Sequence, residues 1–256
     1  MKEEKKDSLL RIRQEILLRM GERRKTRVLT IVHSKSLFGE ESFEELGREE
    51  TEHILMRLSE IEPTQDIDLI LHTPGGMTLA AEMIAIALKQ HRGKVNVIVP
   101  FYAMSGGTLI ALSADQIMMN RFSVLGPCDP QIGGWPASVL LKIYREKGVQ
   151  FTSDETVMYA YIAEMAIERT RRFLAYLLKG KMRSAQIQKI SRFFLEGYLT
   201  HDTPITYDVL RKLNLPVVLE IPPEVYDFLD TCQFGECARP MLIDYGKATL
   251  PISPLG

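Results

Sequence analysis

The chain has 256 residues, 45% of them hydrophobic and 25% charged, which is enough to bury a substantial core in one large α/β domain. Its 32 basic and 33 acidic side chains leave a formal charge of −1, which excludes a global electrostatic pull toward nucleic acid or an anionic membrane surface. No run of about 20 apolar residues is present, and the apolar stretch near the N-terminus is broken by Arg11, Arg13, Gln14 and Glu15, so neither a membrane span nor a secretory signal is expected.

Three cysteines, Cys128, Cys232 and Cys237, cannot all pair, and their spacing matches no common zinc pattern. Reduced thiols and a cytoplasmic location are the expectation, with no metal and no cofactor.

In chain order, residues 2–20 predict an amphipathic helix, with Leu9, Ile12, Ile16 and Met20 at helical spacing. Residues 1–26 are read as a helical arm on a single domain at 27–256. Residues 28–32 read as a short buried strand, and 44–61 as a helix ended near Pro63. A strand–turn–helix theme then repeats. Residues 67–71 form a strand, His72-Thr-Pro-Gly-Gly76 a turn and 79–90 an alanine-rich helix. A second strand at 95–100 leads through a turn at 102–107 into a helix at 108–114, and a third strand follows at 117–119. Apolar strands alternating with helices indicate a parallel sheet covered on both faces, whose ligands bind beyond the carboxyl ends of the strands. Both glycine turns fall at that edge.

Residues 136–194 read as mainly helical, the longest helix spanning 158–178 and carrying a basic cluster of Arg169, Arg171 and Arg172. A last strand at 217–221 and a short helix precede a proline-punctuated end. No repeat and no linker interrupts the chain.

The two turns carry the chemistry. In Thr73-Pro-Gly-Gly76, two glycines directly after a buried strand let the backbone approach a ligand and turn an amide outward, which suits an oxyanion. Ser105, followed by Gly106 and Gly107, sits at a helix N-terminus, where free amides and the helix dipole favour developing negative charge. A serine there can also be a simple N-cap.

The motifs Leu71-His-Thr-Pro-Gly-Gly76, Ala103-Met-Ser-Gly-Gly-Thr-Leu-Ile-Ala-Leu-Ser-Ala-Asp115 and Leu125-Gly-Pro-Cys-Asp-Pro-Gln131 resemble the serine dehydrogenase proteinase family. That family is similar to signal peptide peptidase A and to the proteolytic subunit of Clp protease, and the resemblance spans about residues 28–217. It implies a Clp/crotonase-like fold, a serine peptidase with Ser105 as nucleophile, and an oxyanion hole from the Gly76 and Gly106 amides. It also implies a homo-oligomer, a trimer or stacked rings, acting on peptide or protein substrates.

A serine hydroxyl needs a base, and three residues compete for the role. Asp129 stands where the Clp subunit would place its histidine. His201, in Leu199-Thr-His-Asp-Thr-Pro-Ile205, falls in the segment that resembles the source of its third triad member. A swapped triad follows, with His201 as base and Asp129 or Asp202 orienting it; His201 with Asp129 is preferred. Lys142, between Leu141 and Ile143, is the alternative base, and it would have to be desolvated. His72 could line the substrate cleft. His33, His53 and His91 have no metal-site spacing, and Cys128 reads as a small buried residue. Two other readings remain: a crotonase-like acyl-CoA enzyme using the paired amides without a nucleophile, and an oligomeric scaffold whose base has degenerated.

Overall fold

The computed structural model describes residues 2–33, 45–196, 199–231 and 243–244. Helix α1 (Lys2–Arg24) leads into β1 (Arg27–Val32), followed by α2 (Arg48–Ser59), β2 (Ile67–His72), α3 (Thr78–Gln90) and β3 (Val95–Val99). The two-residue strand β4 (Tyr102–Ala103) precedes α4 (Gly106–Ser113), β5 (Gln116–Met119) and β6 (Val124–Leu125). A hairpin of β7 (Gln131–Ile132) and β8 (Trp135–Pro136) opens a helical stretch of α5 (Ala137–Lys147), α6 (Asp154–Leu178) and α7 (Ser184–Leu195). The remaining elements are β9 (Ile205–Thr206), α8 (Tyr207–Lys212), β10 (Val217–Leu219), α9 (Pro223–Thr231) and β11 (Ile243–Asp244).

The main sheet has the order β10-β5-β3-β2-β1-β11. Its first five strands are parallel, and β11 pairs antiparallel with β1. The strands are mostly apolar on both faces because each face has its own cover. Leu29, Ile31, Leu69, Leu71 and Val97 point into the core shared with α3, α4, α6 and α7. Alternate residues Val28, Val32, Ile70, Ile98 and Met118 point the other way, onto Ile16, Leu17 and Met20 of α1 and Val225 and Phe228 of α9. On that second face lies a fully buried carboxylate, Asp68, which the Arg24 guanidinium, the Thr26 hydroxyl (2.9 Å) and the Asn96 amide (2.7 Å) all contact as donors.

Several elements depart from expectation for identifiable reasons. The buried stripe of α1 contains Arg13, 2% exposed, in place of Ile12, which is 42% exposed. Arg13 reaches the end of α9, donating from Nε to Thr231 Oγ1 (3.0 Å) and from Nη2 to the Thr231 carbonyl (2.5 Å), so it satisfies a helix C-terminus that no apolar side chain could serve. Helix α2 is shorter than the expected 44–61. Helix α6 starts at Asp154, four residues before expectation, because Ser153 Oγ accepts from the Thr156 amide and Asp154 and Glu155 fill the first turn. The Arg169, Arg171 and Arg172 cluster is committed to ion pairs: Arg169 to Glu82, and Arg171 and Arg172 to Glu168. Among the described residues, no helix is long and apolar enough to cross a membrane. Cys232 and Cys237 lie outside the described residues.

Candidate active site

The N-terminus of α4 is where the two glycine turns meet. The helix begins at Gly106, two residues before the expected start, which makes Ser105 its N-cap residue. Ser105 caps nothing with its side chain, however, and its backbone is strained, at φ 50° and ψ −117°. A non-glycine residue held there costs about 1–3 kcal/mol, and such strain collects at functional positions. The Ser105 hydroxyl has no hydrogen-bond partner among the described residues, and the side chain is half-buried rather than enclosed.

Thr73 ties the first turn to the second. Its amide donates to the Tyr102 carbonyl (3.2 Å), and its own carbonyl accepts from the Met104 amide (3.0 Å). Leu46 holds the other side, donating to the Gly75 carbonyl (2.7 Å) and accepting from the Met77 amide (2.9 Å). In a parallel bridge of this kind the intervening residue turns its own amide away from the partner, so the Gly76 N–H faces away from Leu46. A Cβ on Gly106 would lie 3.8 Å from the Gly76 nitrogen, and one on Gly75 would lie 3.2 Å from the Gly106 nitrogen and 2.8 Å from Ser105 Cβ. The Gly76 and Gly106 amides are therefore neighbours beside Ser105, and neither has an acceptor among the described residues. Paired free amides at a helix N-terminus can hold an oxyanion.

A small second sheet brings the distant segments to this place. Strand β6 pairs parallel with β4 and antiparallel with β9, aligning Ala103, Leu125 and Ile205 side by side. Ser105 follows β4 by two residues, Asp129 follows β6 by four, and His201 precedes β9 by four. Because β9 runs the opposite way, all three lie off the same end of the sheet. The Thr108 hydroxyl reinforces the alignment, lying 2.8 Å from the Ala103 carbonyl and accepting from the Gly126 amide (3.0 Å). On the far side, the Lys181 ammonium contacts the Leu112, Ser113 and Ala114 carbonyls at the end of α4, fixing the helix from behind.

His201 Nδ1 lies 2.8 Å from Asp129 Oδ1, across 72 positions of sequence. A ring nitrogen facing a carboxylate carries the proton, leaving Nε2 as the basic atom. Asp129 is 4% exposed, and its second oxygen accepts from the Gln131 amide at 2.7 Å. The Asp129 hydrogen bond holds the His201 pKa above its usual value, against the opposing effect of burial. Asp202 is not the partner of the imidazole; it is held below the usual carboxylate range chiefly by its hydrogen bond to Thr200.

Lys142 stands on α5 with 73% of its side chain exposed, 3.9 Å from Glu146, which is not the desolvated setting a lysine base requires. His72 lies against Tyr102 with ring centroids 4.1 Å apart and planes tilted by 56°, and packs edge-on against Phe101, a packing role beside the turn. His53 is exposed, and His91 Nε2 contacts the Gln65 carbonyl (2.7 Å). Cys128 is a buried free thiol whose pKa burial pushes well up, far from a reactive thiolate.

The sequence motifs contain Gln131 and Thr73, and His33 is weighed there only as a metal ligand, so none of the three is given a part in the site by sequence reasoning. His33 is buried beneath the first turn, with Nδ1 2.7 Å from Thr73 Oγ1, and burial lowers its pKa to about 4, so it is neutral near pH 7. Its alignment with Thr73, one step beyond the Val32–His72 pair of two apolar strands, is the signal that could have found it.

A parallel sheet with two glycine turns at its carboxyl edge, the second starting a buried helix, defines an α/β protein of the Clp/crotonase-like class. The chain belongs to the ClpP-like SDH-type serine proteinase family, whose model matches residues 1–248. Two uncharacterized proteins of Methanocaldococcus jannaschii are similar to it. One is 42% identical over 221 residues, covering 85% of this chain and 77% of the relative. The other is 41% identical over 210 residues, covering 81% and 72%. Among solved structures, ClpP1 from Listeria monocytogenes is similar at a TM-score of 0.49 and 15% identity, covering 77% of this chain and 94% of that one. A mutant of the 1510-N membrane-bound stomatin-specific protease is similar at 0.49 and 18%, covering 86% and 94%.

Proposed function

We propose that the chain is a serine peptidase that cleaves peptides or unfolded protein segments through an acyl-enzyme on Ser105. His201 Nε2 takes the Ser105 proton as Oγ attacks the scissile carbonyl carbon, and the carbonyl oxygen gathers charge against the Gly76 and Gly106 amides. Asp129 holds the ring and stabilises the imidazolium. His201 then protonates the leaving amine, and water, deprotonated by the same nitrogen, releases the acid and restores the hydroxyl.

The observation that carries this reading is the pairing of β4, β6 and β9, which sets the strained serine, the free amides and the His201–Asp129 pair off one end of one small sheet. No hydrogen bond joins Ser105 to His201 among the described residues, as is common before substrate tightens a site.

Self-assembly and a cytoplasmic site of action belong to the same proposal. The second is carried from the sequence, in which three cysteines cannot all pair. The first is supported by an exposed apolar surface on α6, where Met158, Tyr161, Ile162 and Met165 line a shallow depression of about 420 Å³ together with Val149. Hydrolysis of a fluorogenic peptide or unfolded casein tests the activity. Ser105→Ala and His201→Ala should each abolish turnover, whereas turnover that survives both substitutions would remove the proposal.

A further inference from the structure

Thr73 is a hub between the two glycine turns, and its hydroxyl is not free to rotate. Oγ1 accepts from the Gly75 amide at 3.1 Å and lies 2.7 Å from His33 Nδ1. Its methyl group abuts the start of α4, where a Cβ on Gly107 would meet Thr73 Cγ2 at 2.5 Å. Its backbone holds Tyr102 and Met104, the residues leading into Ser105. Thr73 and His33 are both buried, at 0% and 2% exposure, so the bond between them is shielded from bulk solvent. Without His33, the alternative partner for the Thr73 hydroxyl among the described residues is the Gly75 carbonyl, 3.4 Å away, and donating there would pull on the peptide that leads into Gly76.

We propose that His33 is a positioning residue for the oxyanion turn. Through the Thr73 hydroxyl it fixes the Gly75 amide, and with it the direction of the Gly76 N–H. The inference rests on the peptidase reading for its catalytic consequence, while its structural content stands separately. His33 touches neither substrate nor reacting atoms; it limits how far the turn can rotate as charge develops on the substrate carbonyl oxygen.

The test compares His33→Leu, His33→Asn, Thr73→Val, Thr73→Ser and the His33→Leu/Thr73→Val double variant in the full chain, at a temperature where all are folded. An asparagine amide can occupy the place of Nδ1, and serine keeps the hydroxyl, so these two serve as rescues. Peptide hydrolysis should show kcat reduced about 10- to 100-fold in His33→Leu and Thr73→Val with KM little changed, because a preorganised donor is displaced rather than removed. The double variant should be no worse than either single one, as for residues acting as a unit. Both rescues should recover most of the rate.

Hydrogen exchange at the Gly75 amide gives a readout that needs no activity. It should quicken about 10-fold or more in His33→Leu and return in His33→Asn. A wild type without hydrolysis but with this exchange pattern would sink the peptidase reading and keep the relay. Unchanged Gly75 exchange in His33→Leu, or kcat losses that multiply in the double variant, would overturn it.

Discussion

Gly75→Ala tests how closely the two turns are packed. A Cβ at this position would stand 2.8 Å from Ser105 Cβ, 2.9 Å from the Met104 carbonyl oxygen and 3.2 Å from the Gly106 nitrogen. Carbon atoms prefer about 3.5–4.0 Å, so close to 1 Å must be opened between the turns. None of the three atoms is the free end of a flexible side chain, so the movement falls on the Ser105 loop itself. The φ of +108° adds a local strain of about 1–3 kcal/mol. In a chain of this size each kcal/mol lowers Tm by about 2–4 °C, so a loss of roughly 2–12 °C is expected. The catalytic effect is of comparable free energy but read on a logarithmic scale: a displacement of about 1 Å in a reacting constellation costs on the order of 100-fold. The assay is the second-order rate at which a fluorophosphonate modifies Ser105, measured well below the lowered Tm. A folded Gly75→Ala protein that reacts at the wild-type rate would refute the packing argument.

Other outcomes follow from the charges. His201 must be neutral to act as a base, and Asp129 raises its pKa, so Asp129→Asn should move the acid limb of the reactivity profile to lower pH. The same change should lower the plateau by about 10³- to 10⁴-fold, since the asparagine amide favours the wrong tautomer. Because the folded pKa of His201 is raised, its stabilising contribution is complete below the unfolded value of about 6.5 and lost as pH rises through the folded pKa. Urea titrations across that window should show the dependence in the wild type and not in Asp129→Asn. Arg24→Met removes the guanidinium from fully buried Asp68 and should cost about 3 kcal/mol, near the low end for a broken buried pair because Thr26 and Asn96 remain as donors. Equilibrium denaturation at neutral pH reads that loss.

The parallel sheet was legible because both faces are covered: residues 67–71 and 95–99 are apolar on both faces apart from Asp68 and Asn96, which bond each other, a pattern that a sheet with one wet face would not show. The glycine turns were legible for a related reason. Gly75 at φ +108° and Gly76 at φ +140° need glycine, and Leu46 would block a Cβ at Gly76. What stayed hidden was held by pairs distant in sequence and strands too short to have a period. Strands β4, β6 and β9 have two residues each, yet they align Ser105, Asp129 and His201. An apolar stripe predicted Ile12 inside α1, because periodicity carries no information about Arg13 reaching the far end of α9. The contact of His201 with Asp129 rather than Asp202 is also tertiary, yet it is the pairing the sequence favoured; neighbours in sequence did not become neighbours across the ring.

Activation of Ser105 as a nucleophile should depend on the folded site. Mass mapping after fluorophosphonate treatment tests it most directly. One adduct is expected, on Ser105, absent from Ser105→Ala and from urea-unfolded protein, and strongly slowed in His201→Ala. An unmodified Ser105 in folded wild-type protein, or equal modification of the unfolded chain, would contradict it.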